Sequence, residues 1–349
     1  MGHQIRRLRI AVSGLGRMGE IAWAKENLEP WGVTIYEDYD KMLNHMGLEA
    51  VCIATITSVH AEQSIKAIES GKHVLCEKPL STELSLVPML PIDVCQNVLD
   101  SARTHPDLKV MCGFSRRFDS SYLAAYRSTV AGSIGRPTIL RSQTCDKYDA
   151  SGAFVQYAQF SGGIFVDCNI HDIDLALWFL SAGTPDKALP KVRTVTAVGV
   201  AALEPELVKY GDVDNGVGVV EFFEGQIAYF FSSRMNSPGQ HDMTDVIGTI
   251  GKLSVNAHPA SSLLESHTAD GIYRDIPQNF FERFEHAFVK EAQQFVDAVL
   301  ENKPVPIDLE SSVLAVYIGT LLQESLRSGK KLFFDRAGNR VEEAVKAEW

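Results

Sequence analysis

The chain reads as α/β, with an N-terminal doubly wound parallel sheet followed by a C-terminal α+β domain on an open, mostly antiparallel sheet. Three observations predict this. In the first part, short β-branched runs alternate with helical patterns, the mark of parallel strands joined by crossover helices. From about Gly135 the strands lengthen and succeed one another with turn punctuation. A length of 349 residues, 45% hydrophobic, suggests two cores more readily than one. The expected division is 1–134 and 135–349.

The elements follow in order. Leu8-Arg9-Ile10-Ala11-Val12 is the first strand, and Ala50 to Thr55 and Lys72 to Cys76 are later ones. A helix over about Val59 to Ser70 separates the last two and stops at Gly71, a C-terminal cap position. Another helix near Val94 to Thr104 leads to a strand over Leu108 to Gly113. In the second part the strands are Thr138–Cys145, Val192–Val200, Val217–Phe223, Ile227–Ser233, Met243–Ile247 and Lys252–Val255. Glu224-Gly225 marks a tight turn. Helices near Asp167 to Leu180, Phe281 to Leu300 and Leu309 to Arg327 can cover one face of that sheet.

The bulk numbers narrow the function classes. A net charge of −11 leaves no basic surplus to neutralise phosphates, so neither nucleic acid nor an anionic membrane is an expected partner. Six scattered cysteines without a C-x-x-C pair read as reduced thiols. There is no apolar run of about 18 residues and no signal-peptide core at the start. A cytoplasmic location is the expectation.

Ser13-Gly14-Leu15-Gly16-Arg17-Met18-Gly19 follows the first strand directly and supplies G-x-G-x-x-G. Such a loop gives a tight turn, a backbone that can approach a pyrophosphate, and helix N-terminal amides aimed at it. Gly14, Leu15, Gly16, Arg17, Met18 and Gly19 are therefore candidate dinucleotide contacts, and the parallel sheet is expected to be Rossmann-type. Alone the pattern is weak; its place after an apolar strand strengthens it.

Asp167 and His171 are four residues apart, so on one helix they would share a face. An imidazole titrates near neutral pH and can take a hydroxyl proton, with the carboxylate orienting it. On an otherwise apolar helix the bland reading is a satisfied polar edge. Cys168 beside them invites a zinc reading, but neighbours on a helix point about 100° apart and no second cluster has ligand spacing. No metal is expected.

Five stretches in order resemble the glucose-fructose oxidoreductase/inositol dehydrogenase/MocA (Gfo/Idh/MocA) family. They are Ala54 to His60, Gly71 to Leu80 with Glu77-Lys78-Pro79, Gly113 to Phe118, Gly162-Gly163 leading into Asp167-x-x-x-His171-x-x-Asp174, and Asp245 to Gly251. The resemblance implies an NAD- or NADP-dependent dehydrogenase of a secondary hydroxyl on a sugar or an inositol-like cyclitol. It makes Lys78, Asp167 and His171 the catalytic set, with Lys78 beside the nicotinamide after a frequently cis Lys-Pro bond. Thr55, Ile56, Thr57, His60 and Glu77 would lie along the cofactor. Arg117, Asn169 and His241 are candidate substrate contacts, His241 where many members carry tyrosine, and Asp174 reads as structural, capping or bracing His171. A homodimer or homotetramer through the open sheet is implied as well. Other roles open to this fold are a cofactor-bound sensor or co-regulator and an NAD-dependent glycosidase.

One conflict arises. Val33 to Tyr36 reads naively as a second strand, with Glu37 at the spacing of a ribose-binding acid. The family pattern places Tyr36 to Leu43 later, just before the strand ending at Thr55, and Glu20 to Leu28 as the helix after the second strand. On that reading the first helix, second strand and ribose reader are absent between Gly19 and Glu20.

Overall fold

The computed structural model describes residues 6–14, 21–81 and 91–344. The chain divides into two compact units, residues 1–114 with 291–314, and residues 115–290 with 315–349.

The first unit is built on four parallel strands, β1 (Ile10–Ser13), β2 (Ala50–Ile53), β3 (His73–Glu77) and β4 (Val110–Gly113), hydrogen-bonded in that order. The three later strands are near-continuous apolar runs, as parallel strands covered on both faces must be. Val51, Ile53, Val74, Met111 and Cys112 are wholly excluded from solvent. Helices α3 (His60–Glu69) and α4 (Pro91–Thr104) pack on each other. Helix α3 ends as expected: Gly71 N–H donates to Ile68 O and Lys72 N–H to Ala67 O, both 2.9 Å, a Schellman cap.

Between β1 and β2 lie α1 (Ile21–Asn27) and α2 (Tyr39–Leu43), and β1 pairs directly with β2. Val33–Tyr36 forms no strand, and Glu37 is an exposed partner of Lys25 at 3.6 Å. The naive reading fails because these residues run from the turn at Gly32 straight to Asp38, whose side chain caps α2 by accepting from Lys41 N–H. The arrangement of α1 and α2 agrees with the family pattern. Leu15, Gly16, Arg17, Met18, Gly19 and the Gly19-Glu20 junction lie outside the described residues.

The second unit carries an eight-stranded sheet. Its strands are β5 (Pro137–Lys147), β6 (Val192–Val200), β7 (Asn215–Phe222), β8 (Ile227–Asn236), β9 (His241–Gly248), β10 (Lys252–Val255), β13 (Leu332–Phe334) and β14 (Arg340–Val341). The order is β10-β9-β5-β8-β7-β6-β13-β14, antiparallel except for the β5–β8 pair. Strict alternation along β7 buries Gly216, Gly218, Val220 and Phe222 under α7 (Ile164–Asp167), α8 (Ile170–Ser181) and the 315–328 part of α10 (Leu309–Ser328). The expected Glu224-Gly225 turn closes β7 onto β8, with Phe222 N–H donating to Gln226 O at 2.9 Å.

Four further pieces have only weak sequence signals: α5 (Ser120–Val130), capped by the Asp119 carboxylate, the short α6 (Ala153–Tyr157), and an exposed hairpin of β11 (Glu265–Thr268) with β12 (Gly271–Arg274). The long helix α9 is Phe280–Leu300.

Gly14 ends β1 with φ +92°, and a Cβ there would sit 2.6 Å from Ala54 O. Only glycine meets both demands. Gly14→Ala is expected to cost on the order of 2 kcal/mol or more, through positive-φ strain and backbone displacement, and to lower the melting temperature in a thermal-shift assay.

Candidate functional site

In the first unit the candidate residues gather at the carboxyl ends of β1, β2 and β3, the edge where open parallel sheets bind ligands. Lys78 follows β3 directly, is half-buried, and its peptide bond to Pro79 is cis, as the resemblance implied. The Glu77 carboxylate accepts from Lys78 N–H at 3.3 Å. Burial pushes its carboxyl up, against the opposing pull of the Lys78 ammonium. Thr55 and Ile56 continue β2 and are accessible, Ile56 being 69% exposed, while Thr57 opens a short 3-10 turn into α3.

His60 is placed differently from the expectation. It is 1% exposed, with Nδ1 2.9 Å from Pro79 O and Nε2 3.1 Å from Thr55 O. Both ring nitrogens face backbone carbonyls at two strand ends, and a neutral ring donates to one of them in each tautomer. Burial holds its imidazole below the usual histidine range, although both carbonyls favour the cation. A residue that sequence reasoning missed completes the edge. Gln63, one turn further along α3, accepts from Ser13 Oγ at 2.9 Å and Thr55 Oγ1 at 3.4 Å.

In the second unit Gly162 and Gly163 lead into the Asp167 segment. Gly163 has φ +99°, and a Cβ there would meet the Gln323 amide at 2.1 Å. Asp167 and His171 do not share one continuous helix. Asp167 ends α7 and His171 is the second residue of α8, and between them Asn169 N–H reaches back to Ile164 O. The four-residue spacing thus spans a break between two helices. Asp167 forms a 2.5 Å ion pair with Arg234 of β8, whose guanidinium lies over Phe154 at 3.7 Å. Arg234 was missed because nothing in Ser232-Ser233-Arg234 distinguishes it from a strand residue. His171 is half-buried.

The three candidate substrate contacts stand elsewhere. Arg117 is 7% exposed and forks onto Asp174, Nε to Oδ2 at 2.8 Å and Nη2 to Oδ1 at 2.6 Å, with Trp178 under its plane. Asp174 thus braces Arg117, where His171 was expected. Asn169 is fully buried and donates to Asp172 Oδ2 at 2.7 Å and Phe231 O at 3.2 Å. His241 lies on the sheet face opposite α8, because its neighbours Asp242 and Thr244 take the α8 face and strand side chains alternate. Its ring contacts Asn256 O and Gln143 Nε2 there.

Beneath the start of α8 sits a buried ionic knot. Asp172 accepts from Arg116 Nη1 (3.0 Å), Ser142 Oγ (2.5 Å), Thr144 Oγ1 (2.6 Å) and Asn169 Nδ2 (2.7 Å). Arg116 Nη2 also donates to Asp242 Oδ1 at 2.8 Å. Among the described residues no group of three or more His, Cys, Asp or Glu is arranged to hold a metal ion.

Residues 20–114 match the model of an oxidoreductase family with an NAD-binding Rossmann fold, and residues 122–254 match the Gfo/Idh/MocA C-terminal domain. Scyllo-inositol 2-dehydrogenase (NAD(+)) of Bacillus subtilis is 32% identical over 326 residues, 92% of this chain and 86% of that protein. The chain belongs to the Gfo/Idh/MocA oxidoreductase family. Myo-inositol 2-dehydrogenase of Thermotoga maritima is 28% identical, covering 93% of this chain and 98% of that protein. The crystal structure of Lactobacillus casei scyllo-inositol dehydrogenase with bound NAD(H) and scyllo-inositol superposes with a TM-score of 0.84 at 31% identity, over 94% of this chain and 99% of that one. This Gfo/Idh/MocA member thus has a Rossmann-type unit and an open-sheet unit, as its sequence leads one to expect. Among the described residues no helix is long and apolar enough to cross a membrane.

The ionic knot has a measurable signature. Burial pushes the Asp242 carboxyl up to about 6 from 3.8, with Asp146 and Asp172 adding to the rise and Arg116 opposing it. The folded state then binds more protons than the unfolded state between about pH 4 and pH 6, so this group's contribution to stability falls as pH rises through that window. A rise of two units corresponds to about 3 kcal/mol. In paired melts, wild type is expected to lose stability relative to Asp242→Asn from about pH 4 to pH 6, with a constant difference above pH 7; a difference that grows with pH above 7 would contradict the assignment.

Proposed function

We propose that this protein reversibly oxidises a secondary hydroxyl of an inositol-like cyclitol to the ketone, with NAD as hydride acceptor. The observation that carries the proposal is full-length similarity to a scyllo-inositol dehydrogenase structure holding NAD(H) and scyllo-inositol. The residues present suit the dinucleotide. Gly14 turns with positive φ where the backbone must come close, and Ser13, Thr55 and Thr57 present hydroxyl-bearing residues at one edge of a parallel sheet. Gly14, Thr55, Ile56 and Thr57 would hold the cofactor in the first unit, and the second unit would take the cyclitol. Bound NAD supplies the hydride acceptor.

The side chains supply proton handling. The Lys78 ammonium would hydrogen-bond the reacting hydroxyl and favour its deprotonation, and Glu77 beside it limits the local positive charge. His171 would accept the hydroxyl proton and return it in the reverse direction. Asp167, held by its ion pair with Arg234, would fix the segment that leads into α8 and so the place of His171. Lys78→Met and His171→Ala are each expected to lower turnover by about 10²–10⁴-fold, the range of general acid-base groups. The measurement is growth of reduced-nicotinamide absorbance on mixing NAD with a panel of inositols and sugars. Near wild-type rates in both variants would end the assignment; cofactor binding without turnover by any polyol would favour a sensor.

The sheet face opposite α8 presents Ile139, Val217, Val219, Tyr229 and Phe231 without full burial. We propose that copies of this chain pair through it as a homodimer or homotetramer. Val219→Asp is expected to lower the mass measured by light scattering after size exclusion toward one chain.

A further inference from the structure

Side chains from the first turns of α3 reach all three strand ends. His60 spans Thr55 O at the end of β2 and Pro79 O after β3. Gln63 Oε1 takes the hydroxyls of Ser13, at the end of β1, and Thr55, and the Gln63 carbonyl accepts from Tyr39 OH at 2.7 Å. Backbone pairing runs as far as Ser13, Ala54, whose N–H donates to Ser13 O at 2.8 Å, and Glu77. Beyond those residues the His60 ring lies between the Thr55 and Pro79 carbonyls and so joins the Thr55 and Lys78 segments.

We propose that His60 is a positioning residue that sets the Thr55–Thr57 segment and the Lys78 segment at a fixed separation, with Gln63 fixing the Ser13 end. The inference rests on the reading of Thr55–Thr57 as cofactor contacts and Lys78 as the hydroxyl-facing ammonium. Both of His60's partners are pure acceptors and a neutral ring has one N–H, so one tautomer donates to Pro79 O and the other to Thr55 O, and side chains of different reach can keep one contact without the other. An asparagine amide reaches the place of Nδ1 and keeps the Pro79 contact. A glutamine amide reaches the place of Nε2 and keeps the Thr55 contact.

The test compares His60→Asn, His60→Gln and His60→Phe in the full chain by amide hydrogen exchange, NADH binding and steady-state rates. His60→Asn is expected to speed exchange at Thr55–Thr57 and to weaken NADH binding about tenfold, the loss expected for one buried hydrogen bond, with the smaller effect on kcat. His60→Gln is expected to speed exchange at Lys78 and Leu80 and to lower kcat about tenfold, with the smaller effect on KM for NAD. His60→Phe should show both changes, and Gln63→Met should show faster exchange at Ser13 and Thr55. Equal changes at both segments in the Asn and Gln variants, or none in either, would overturn the proposal. The exchange patterns judge it even if wild type turns over no polyol, an outcome that would sink the functional reading instead.

Discussion

A cation buried between two carboxylates sets the terms for the second unit. Arg116 is 3% exposed and Asp172 and Asp242 are fully enclosed, so all three groups have given up hydration that would cost several kcal/mol each if nothing replaced it. The replacement is concentrated on Asp172, whose two oxygens accept four donors from a 3-10 turn, strand β5 and the approach to α8. One cation cannot neutralise two carboxylates, and Asp242, with fewer donors, carries the raised titration. These contacts tie the start of α8, where His171 precedes Asp172, to β5 and to the turn that carries Arg116.

The first unit solves the same positioning problem with neutral groups. At its strand ends parallel pairing stops, and side chains continue the ties between segments. A single turn of α3 supplies them, through an imidazole against two carbonyls and an amide oxygen against two hydroxyls. An arrangement built on neutral hydrogen bonds leaves the electrostatic character of that edge to Lys78 and Glu77.

Much of this was legible in the sequence because it is local. Val51, Ile53, Val74 and Met111 sit in short apolar runs that only strands buried on both faces require, and Gly71 stops a helix wherever it occurs at such a position. Glu77-Lys78-Pro79 likewise announces itself within three residues. What failed depends on partners distant in the chain. Arg117 looks available until Asp174, 57 residues on, takes its guanidinium. His241 looks like a ligand contact until the register of β9 against β5 assigns it to the far face; alternation could not decide this alone, because polar Asp242 and Thr244 are buried beside buried Met243. The break at Cys168-Asn169 is invisible in a run that scores as helix throughout. Gln63 and Arg234 carry no local signal, since glutamine on a helix and arginine on a strand usually face water.

The six cysteines are all free, five of them buried and Cys52 half-buried. Burial pushes the thiols of Cys52, Cys95 and Cys145 up to about 12. At neutral pH the reactive thiolate is then on the order of one molecule in 10⁵ at each of these positions, and it is the thiolate that attacks oxidants and alkylating reagents. At these three positions the folded protein should therefore react slowly with peroxide and maleimide alike.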